Sequence, residues 1–353
     1  MARTKFSVLA IDGGGIRGAI PARVLQEIET KMGRPVSELF DVVSGTSTGG
    51  IIALGLTKPD GASRKPAFAA SYLLTLYTED GGKIFPDSLG RKILSLDGLA
   101  DDRYPVGPLE ALLKERFGDT KLSEALTELV IPSYDLSGPG PFFFKRTYAR
   151  DQTHTWDVDM WRVARATSAA PTYFEPAELP EFEQEGDHAL VDGGVFANNP
   201  GVSAYAEALS LYPAGVEIQM VSVGTGQAPA REPGQSGGPI SYKEAQHWGL
   251  AKWARPLLHV VLDGVAKTVD YELQQLCQQA NGQPRYYRLE STLPTASAAM
   301  DDAKPENIKR LLADAETLLE TQAATVEQIC TALADVAADR DASGAALAAT
   351  TAT

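Results

Sequence analysis

Cysteine and histidine are both scarce in this chain: two of one and four of the other in 353 residues. Neither Cys277 nor Cys330 sits in a C-x-x-C pair, and no Cys/His cluster has zinc spacing. That argues against a disulfide framework or a structural zinc site, and no metal is expected. Basic residues are the minority charge, 32 against 46 acidic, for a formal net charge of −14. Such a surface repels phosphate backbones and argues against nucleic-acid polymers as partners. It also argues against broad attraction to anionic lipid, unless basic residues cluster locally. No apolar run approaches the ~20 residues that a membrane span requires. The short run Phe6 to Ile11 is ended by Asp12 and three glycines, too soon for a signal-peptide core. These absences lead to the expectation of a soluble, cytoplasmic protein. What is present is ordinary globular composition, 44% hydrophobic and 22% charged. At ~150 residues per domain the length allows two domains or one elaborated α/β domain.

Phe6 to Ile11 is suited to a buried parallel strand. Pro21 is expected to open a helix with Val24, Leu25, Ile28 and Met32 on one face, closed by Gly33 and Pro35. Phe40 to Val43 reads as a second strand, and residues 51–56 as a buried helix. Strand–helix–strand–helix at the start implies a parallel sheet with helices on both faces. Residues 81–108, rich in Gly, Pro and Asp, read as a long excursion, a lid or rim. Further strands are expected at Leu129–Ser133, Pro141–Lys145, Ala189–Val191 and Met220–Val223, with Asp157 capping a helix that stops before Pro171. Residues 227–240 read as a loop. A helical C-terminal region is expected from about residue 241, with one long amphipathic helix from Pro305 through Leu333. The Ala/Thr/Ser-rich residues 341–353 read as a frayed or disordered tail behind a single domain of residues 1–340.

Three short motifs carry chemistry. The first, Asp12-Gly13-Gly14-Gly15-Ile16-Arg17-Gly18, lies between a strand and a helix. Glycines there turn the backbone tightly and aim N–H groups at one point, and the following helix adds its positive end, so the nest suits an anion. Two readings stay open: a phosphate loop, since Gly13, Gly15 and Gly18 fit G-x-G-x-x-G, or an oxyanion hole. The dinucleotide reading wants an acid at the end of the second strand, where Ser44-Gly45 stand instead. The second motif, Gly45-Thr46-Ser47-Thr48-Gly49, is G-x-S-x-G in the strand–turn–helix context that exposes a nucleophilic serine.

A serine nucleophile needs a base. His154, His188, His247 and His259 all sit in settings typical of surface or packing residues rather than at strand-end turns. Only one strand and one helix precede the Ser47 strand, which also disagrees with an α/β-hydrolase. The third motif, Leu190-Val191-Asp192-Gly193-Gly194, supplies another candidate. Asp192 ends a strand and can act directly on the Ser47 hydroxyl, because a water-poor site raises a carboxylate's proton affinity. An ordinary β-turn aspartate is the plain alternative.

Together the three motifs resemble the patatin-like phospholipases. The likeness runs over roughly residues 5–226 and extends to Phe40–Gly50, Ala166–Phe174 and Val191–Pro200. Gly194 stands where many members have Ala. The resemblance implies a three-layer α/β/α sandwich around a mostly parallel central sheet, and lipid acyl hydrolysis of the phospholipase A type through a Ser47–Asp192 dyad. It implies an oxyanion hole from Gly13, Gly14 and Gly15, supported by Asp12, Arg17, Gly18, Gly45, Gly49, Gly193 and Gly194, with no cofactor. Arg17 either pairs with phosphate or braces the nest. The implied partner is a membrane phospholipid, met at the inner face of the membrane, and a homo-oligomer is allowed. Some bacterial members are anti-phage effectors triggered by a cyclic dinucleotide, and this chain fits that role or that of a constitutive housekeeping lipase or esterase. A nucleotide-binding α/β protein and a catalytically silent lipid-binding module are the readings from other classes. Trp248, Lys252, Trp253 and Arg255 place aromatic and basic residues together, as an interfacial patch or as a core helix with two packed tryptophans.

Overall fold

The computed structural model describes residues 3–61, 63–86, 104–151, 157–179, 187–228, 240, 242–278 and 284–351. Among them lie eight strands in one sheet: β1 (Lys5–Ile11), β2 (Val42–Gly45), β3 (Glu128–Asp135), β4 (Gly140–Lys145), β5 (Ala177–Leu179), β6 (His188–Asp192), β7 (Glu217–Val223) and β8 (Tyr286–Leu289). The sheet order is β5-β6-β3-β2-β1-β7-β8, with β4 also paired to β3. The pairs among β3, β2, β1, β7 and β8 are parallel, while β4, β5 and β6 add antiparallel pairs at one side.

The helices used below are α1 (Ala19–Met32), α2 (Thr48–Thr57), α3 (Ala70–Thr78), α4 (Val106–Phe117), α5 (Met160–Thr167), α6 (Gly201–Leu211), α7 (Leu250–Leu276), α8 (Pro305–Thr321) and α9 (Ala323–Thr351). They cover both faces because β1 is apolar on both. Leu9 and Ile11 point into a large core with α1, α2, α3, α4, α5, α8 and α9. Val8 and Ala10 point into a smaller one with Ala204 and Ala208 of α6 and Leu273 of α7. Side chains alternate across a strand, so a run with no polar break must be buried twice. This is the three-layer α/β/α sandwich, and its order of elements places Ser47 after β2 and Asp192 at the end of β6.

Several boundaries differ from the sequence reading. α1 begins at Ala19, so Pro21 is its third residue, a first-turn position where a missing N–H costs nothing. β2 starts at Val42 and runs to Gly45. Asp41, just before it, is drawn off into ion pairs with Arg3 and Arg340. Asp159, not Asp157, stands at the N-cap of α5, while Asp157 accepts from the Ser123 N–H and hydroxyl. The single C-terminal helix is two, broken at Gln322, and the backbone stays helical to Thr351 instead of fraying from 341. Alanine is the strongest helix former, and that outweighs the small-residue composition. Residues 87–103 of the excursion and 229–239 of the loop lie outside the described residues. β8 had no counterpart in the sequence reading: four residues are too few to show a period.

α9 closes the larger core with Val326, Ile329, Leu333 and Val336, all fully buried or nearly so. Asp339 also accepts the Thr4 and Lys5 N–H groups at 2.8 and 2.9 Å, so α9 pins the free start of β1. Leu333→Ala is expected to lower unfolding stability by about 2–5 kcal/mol, read from urea denaturation.

Candidate active site

The site is built where two strands meet end to end. One edge of β3 is taken by β2 over Glu128–Val130 and then by β6, running the opposite way, over Ser133–Asp135. β4 occupies the other edge throughout Val130–Asp135. The C-terminal ends of β2 and β6 therefore point at each other across the gap opposite Ile131 and Pro132. Ser47 follows β2, and Asp192 is the last residue of β6. The gap is filled by Thr167, whose hydroxyl donates to the Pro132 carbonyl at 2.6 Å and accepts the Ser47 N–H at 3.0 Å.

Ser47 has φ 57° and ψ −124°, a strained conformation for a residue with a side chain. It is held from both sides. A Cβ on Gly45 would strike the Gly49 carbonyl, and one on Gly49 would strike the Ile11 carbonyl. The G-x-S-x-G spacing is thus a packing requirement of the turn. The α2 N-terminus lies directly behind Ser47, where a helix dipole favours negative charge.

Asp192 is buried at 4% exposure. Burial pushes its pKa up to about 7, and the Ser47 hydroxyl and Gly194 N–H, donating to the carboxylate, pull partly against that. The Gly194 bond is 2.7 Å. A serine hydroxyl and a carboxyl group poised near neutrality thus interact directly.

The glycine nest is more selective than its sequence indicates. The Gly13 N–H donates to the Asn198 carbonyl at 3.0 Å and is not available to a ligand. Among the described residues nothing accepts the Gly14 and Gly15 N–H groups, and both residues line the same cleft as Ser47. Gly15 has φ +59°, and a Cβ there would strike the Met300 carbonyl. Of the three glycines expected to aim N–H groups at one point, two keep those groups open. Gly18 packs against Thr48 and Tyr77, and Gly193 against the Pro132 carbonyl.

Arg17 braces the nest. Its Nη1 donates to the Gly226 carbonyl at 2.7 Å and its Nε to the Gly14 carbonyl at 3.3 Å. Asp12 is buried and paired bidentately with Arg288 of β8, at 2.9 and 2.6 Å. Arg288 also binds Glu290, which accepts the Gly226 N–H at 2.8 Å. Thr225 donates to the Gly13 carbonyl at 2.8 Å. Sequence reasoning gave no site role to Asn198, Thr225, Arg288 and Glu290. Asn198 lies in the Val191–Pro200 motif, but no local pattern marks what any of them acts on, because folding alone brings those residues near.

An apolar cleft opens in front of Ser47. Leu109, Leu112 and Phe117 of α4, Leu76 of α3, and Leu258 and Leu262 of α7 form much of its wall. Phe85 and Tyr104, at the two ends of the excursion, pack with Phe174, so its described ends belong to the wall region. Among the described residues the only lysine or arginine in the lining is Arg116. A pyrophosphate would find little to neutralise it there. No group of His, Cys, Asp or Glu able to hold a metal occurs among the described residues, and none of their helices is long and apolar enough to cross a membrane.

Among the described residues no histidine lines the cleft. His188 bonds Asp135 at 2.6 Å, four residues back along β6 from Asp192 and thus roughly 13 Å from it. His259 lies on α7, and His154 lies outside the described residues. Trp248 is half-buried and Trp253 exposed, with their rings edge to face at 5.2 Å, so they form a pair at the surface and not a packed core.

A strained serine elbow, a buried carboxyl group and two open amides above an apolar cleft form an arrangement suited to hydrolysing apolar substrates. Comparison with known proteins agrees in class. The model of the patatin-like phospholipase family matches residues 9–205. Patatin-like protein 2 of Arabidopsis thaliana is 32% identical, over 91% of this chain and 84% of that relative. Probable inactive patatin-3-Kuras 1 of Solanum tuberosum is 31% identical over 89% and 86%. VipD from Legionella pneumophila, a solved structure, aligns over 91% of this chain and 67% of its own at 13% identity and TM-score 0.36, a distant likeness that adds nothing further. The chain belongs to the patatin-like phospholipase family, and its class of chemistry is lipid hydrolysis. Asp12, Arg17, Ser47 and Asp192 lie inside the matched span, whereas Arg288 and Glu290 lie outside it.

Two outcomes follow from the burial of charge. Between about pH 4 and 7 folded Asp192 keeps a proton that an unfolded aspartate has released, so its contribution to stability declines as pH rises through that window. Asp192→Asn is expected to gain up to about 4 kcal/mol over wild type at pH 8 relative to pH 4, read from urea unfolding at both. Arg288→Met leaves Asp12 buried and unpaired, and is expected to cost about 3–5 kcal/mol in the same assay.

Proposed function

We propose that this protein hydrolyses fatty-acyl esters of membrane glycerophospholipids, a phospholipase A-type reaction carried by a Ser47–Asp192 dyad. The observation that carries the proposal is the meeting of Ser47 and Asp192 across the β3 gap, with the Asp192 pKa pushed up to about 7. A base works best when its pKa lies near the operating pH, and a normal aspartate is too weak. Ser47 Oγ attacks the ester carbonyl carbon while its proton passes to Asp192. The tetrahedral oxyanion sits against the Gly14 and Gly15 N–H groups. Collapse expels the lysolipid alcohol, which takes the proton back from Asp192. Water, deprotonated by the same carboxylate, then attacks the acyl-Ser47, and the fatty acid leaves with Ser47 restored. The leucine- and phenylalanine-lined cleft accommodates the acyl chain, each buried methylene contributing about 0.8 kcal/mol.

A fluorophosphonate is expected to label Ser47, and labelling of another residue or none would count against the dyad. Ser47→Ala should lower phospholipid hydrolysis by roughly 10⁴-fold or more, and Asp192→Asn by about 10²–10⁴-fold. In wild type, kcat/KM should fall on the acid side with a single proton near pH 7, as Asp192 becomes protonated. A rate flat from pH 5 to 8 would remove Asp192 as the base. Calcium chelation should leave the rate unchanged.

A further inference from the structure

The described residues carry eleven exposed large hydrophobic side chains, and seven of them fall between residues 240 and 276: Ile240, Tyr242, Trp253, Leu257, Val260, Tyr271 and Leu276. Their concentration on one short stretch is the unusual feature, since scattered exposed apolar residues are normal. Most lie on α7, a helix of 27 residues and so about 40 Å long. Its C-terminal half is anchored through Ala266 and Leu273, which are buried. Its N-terminal half lies along the cleft. Leu258 and Leu262, one turn apart, form part of the cleft wall. Trp253, Leu257 and Val260, spaced i, i+4, i+7, form a second stripe that is 36%, 50% and 50% exposed.

Charge is distributed in the same sense. From Gln246 to Leu262 there is no acidic residue, while Lys252 and Arg255 are present. Acid-free stretches as long occur elsewhere, at residues 42–59 and 61–78, but this one carries the exposed apolar stripe and borders the cleft.

We infer that the N-terminal half of α7 is a lipid-docking face, which lies in the headgroup region of a phospholipid bilayer and delivers an acyl chain past Leu258 and Leu262 to Ser47. The inference rests on the lipid-hydrolase reading. An acyl ester leaving a bilayer must reach the cleft without exposing its chain to water, so the docking face and the cleft mouth must be continuous. α7 supplies both, with one stripe facing the lipid and the neighbouring stripe facing the cleft. Trp253 suits the headgroup layer, the sequence adds Lys252 and Arg255 to the same segment, and the lack of acids there lowers the repulsion from anionic lipid.

The test uses the full chain and the double variant Leu257→Asp/Val260→Asp, neither position being part of the cleft wall. Three quantities are read: co-sedimentation with phosphatidylcholine/phosphatidylglycerol vesicles, hydrolysis of the vesicle lipid, and hydrolysis of p-nitrophenyl butyrate, a monomeric ester. The variant should lose about tenfold or more in sedimentation and vesicle hydrolysis, while monomeric-ester kcat/KM stays within about twofold. Unchanged sedimentation and vesicle hydrolysis would overturn the docking face. So would a wild-type dimer that the variant dissolves while vesicle binding persists, since the face would then cover a second copy. If the double variant loses monomeric-ester activity as well, Leu257→Ser and Trp253→Ala, which introduce no charge, decide on the same criteria. A wild type that sediments with vesicles but hydrolyses neither substrate would reject the proposed reaction and leave the docking face standing.

Discussion

The site depends on one interruption in the hydrogen-bonding edge of β3. Two strands of opposite direction share that edge, and neither extends across Ile131 and Pro132. A strand end is where side chains can leave the sheet plane, and here two such ends face each other. Ser47 and Asp192, separated by 145 positions in the chain, are brought into hydrogen-bonding range by sheet register alone. The same gap explains the Thr167 hydroxyl, which satisfies both the Pro132 carbonyl and the Ser47 N–H. Buried backbone groups left without partners by the missing ladder would otherwise each cost about 1–3 kcal/mol.

The nest is held from the other end of the molecule. Its glycines come from the loop after β1, but its rigidity comes from Arg288, Glu290 and the 224–226 turn. Backbone N–H donors stabilise a developing charge only if they are already oriented when it forms. A buried ion pair is a weak source of net stability, because desolvation opposes the attraction. Its value here is positional: bidentate geometry between Arg288 and Asp12 fixes the strand end from which the nest departs. The site residues and their supports are thus spread from the first two hundred residues through the 224–226 turn to the last seventy.

Much of the site was legible in the sequence because its requirements are local. Gly45 and Gly49 are demanded by carbonyls within the same turn or one strand away, and Gly15 by its positive φ. Such needs leave glycines at fixed spacings. The sandwich was legible too, since β1 and β7 are apolar on both faces. What escaped notice depended on distant chain. The antiparallel course of β6 is set by its partner, and no residue within His188–Asp192 announces direction. The closure of the Gly13 amide by the Asn198 carbonyl is equally invisible, because every residue carries a carbonyl. The tryptophan pair at 248 and 253 has the composition of a core helix, and only the position of α7 leaves its N-terminal half uncovered.

The sequence by itself determined the chemistry present: a serine in a glycine-flanked turn, an aspartate before two glycines, and a glycine nest. These follow from residue type and short spacing, which folding cannot alter. Tertiary structure decided which of them act together. It set two open amides rather than three, an Asp192 pKa of about 7 rather than that of an exposed acid, and an Arg17 bonded to backbone carbonyls. The physical reason is that hydrogen-bond occupancy, burial and strand register are relations between distant parts of a chain, and these exist only once the sheet has closed.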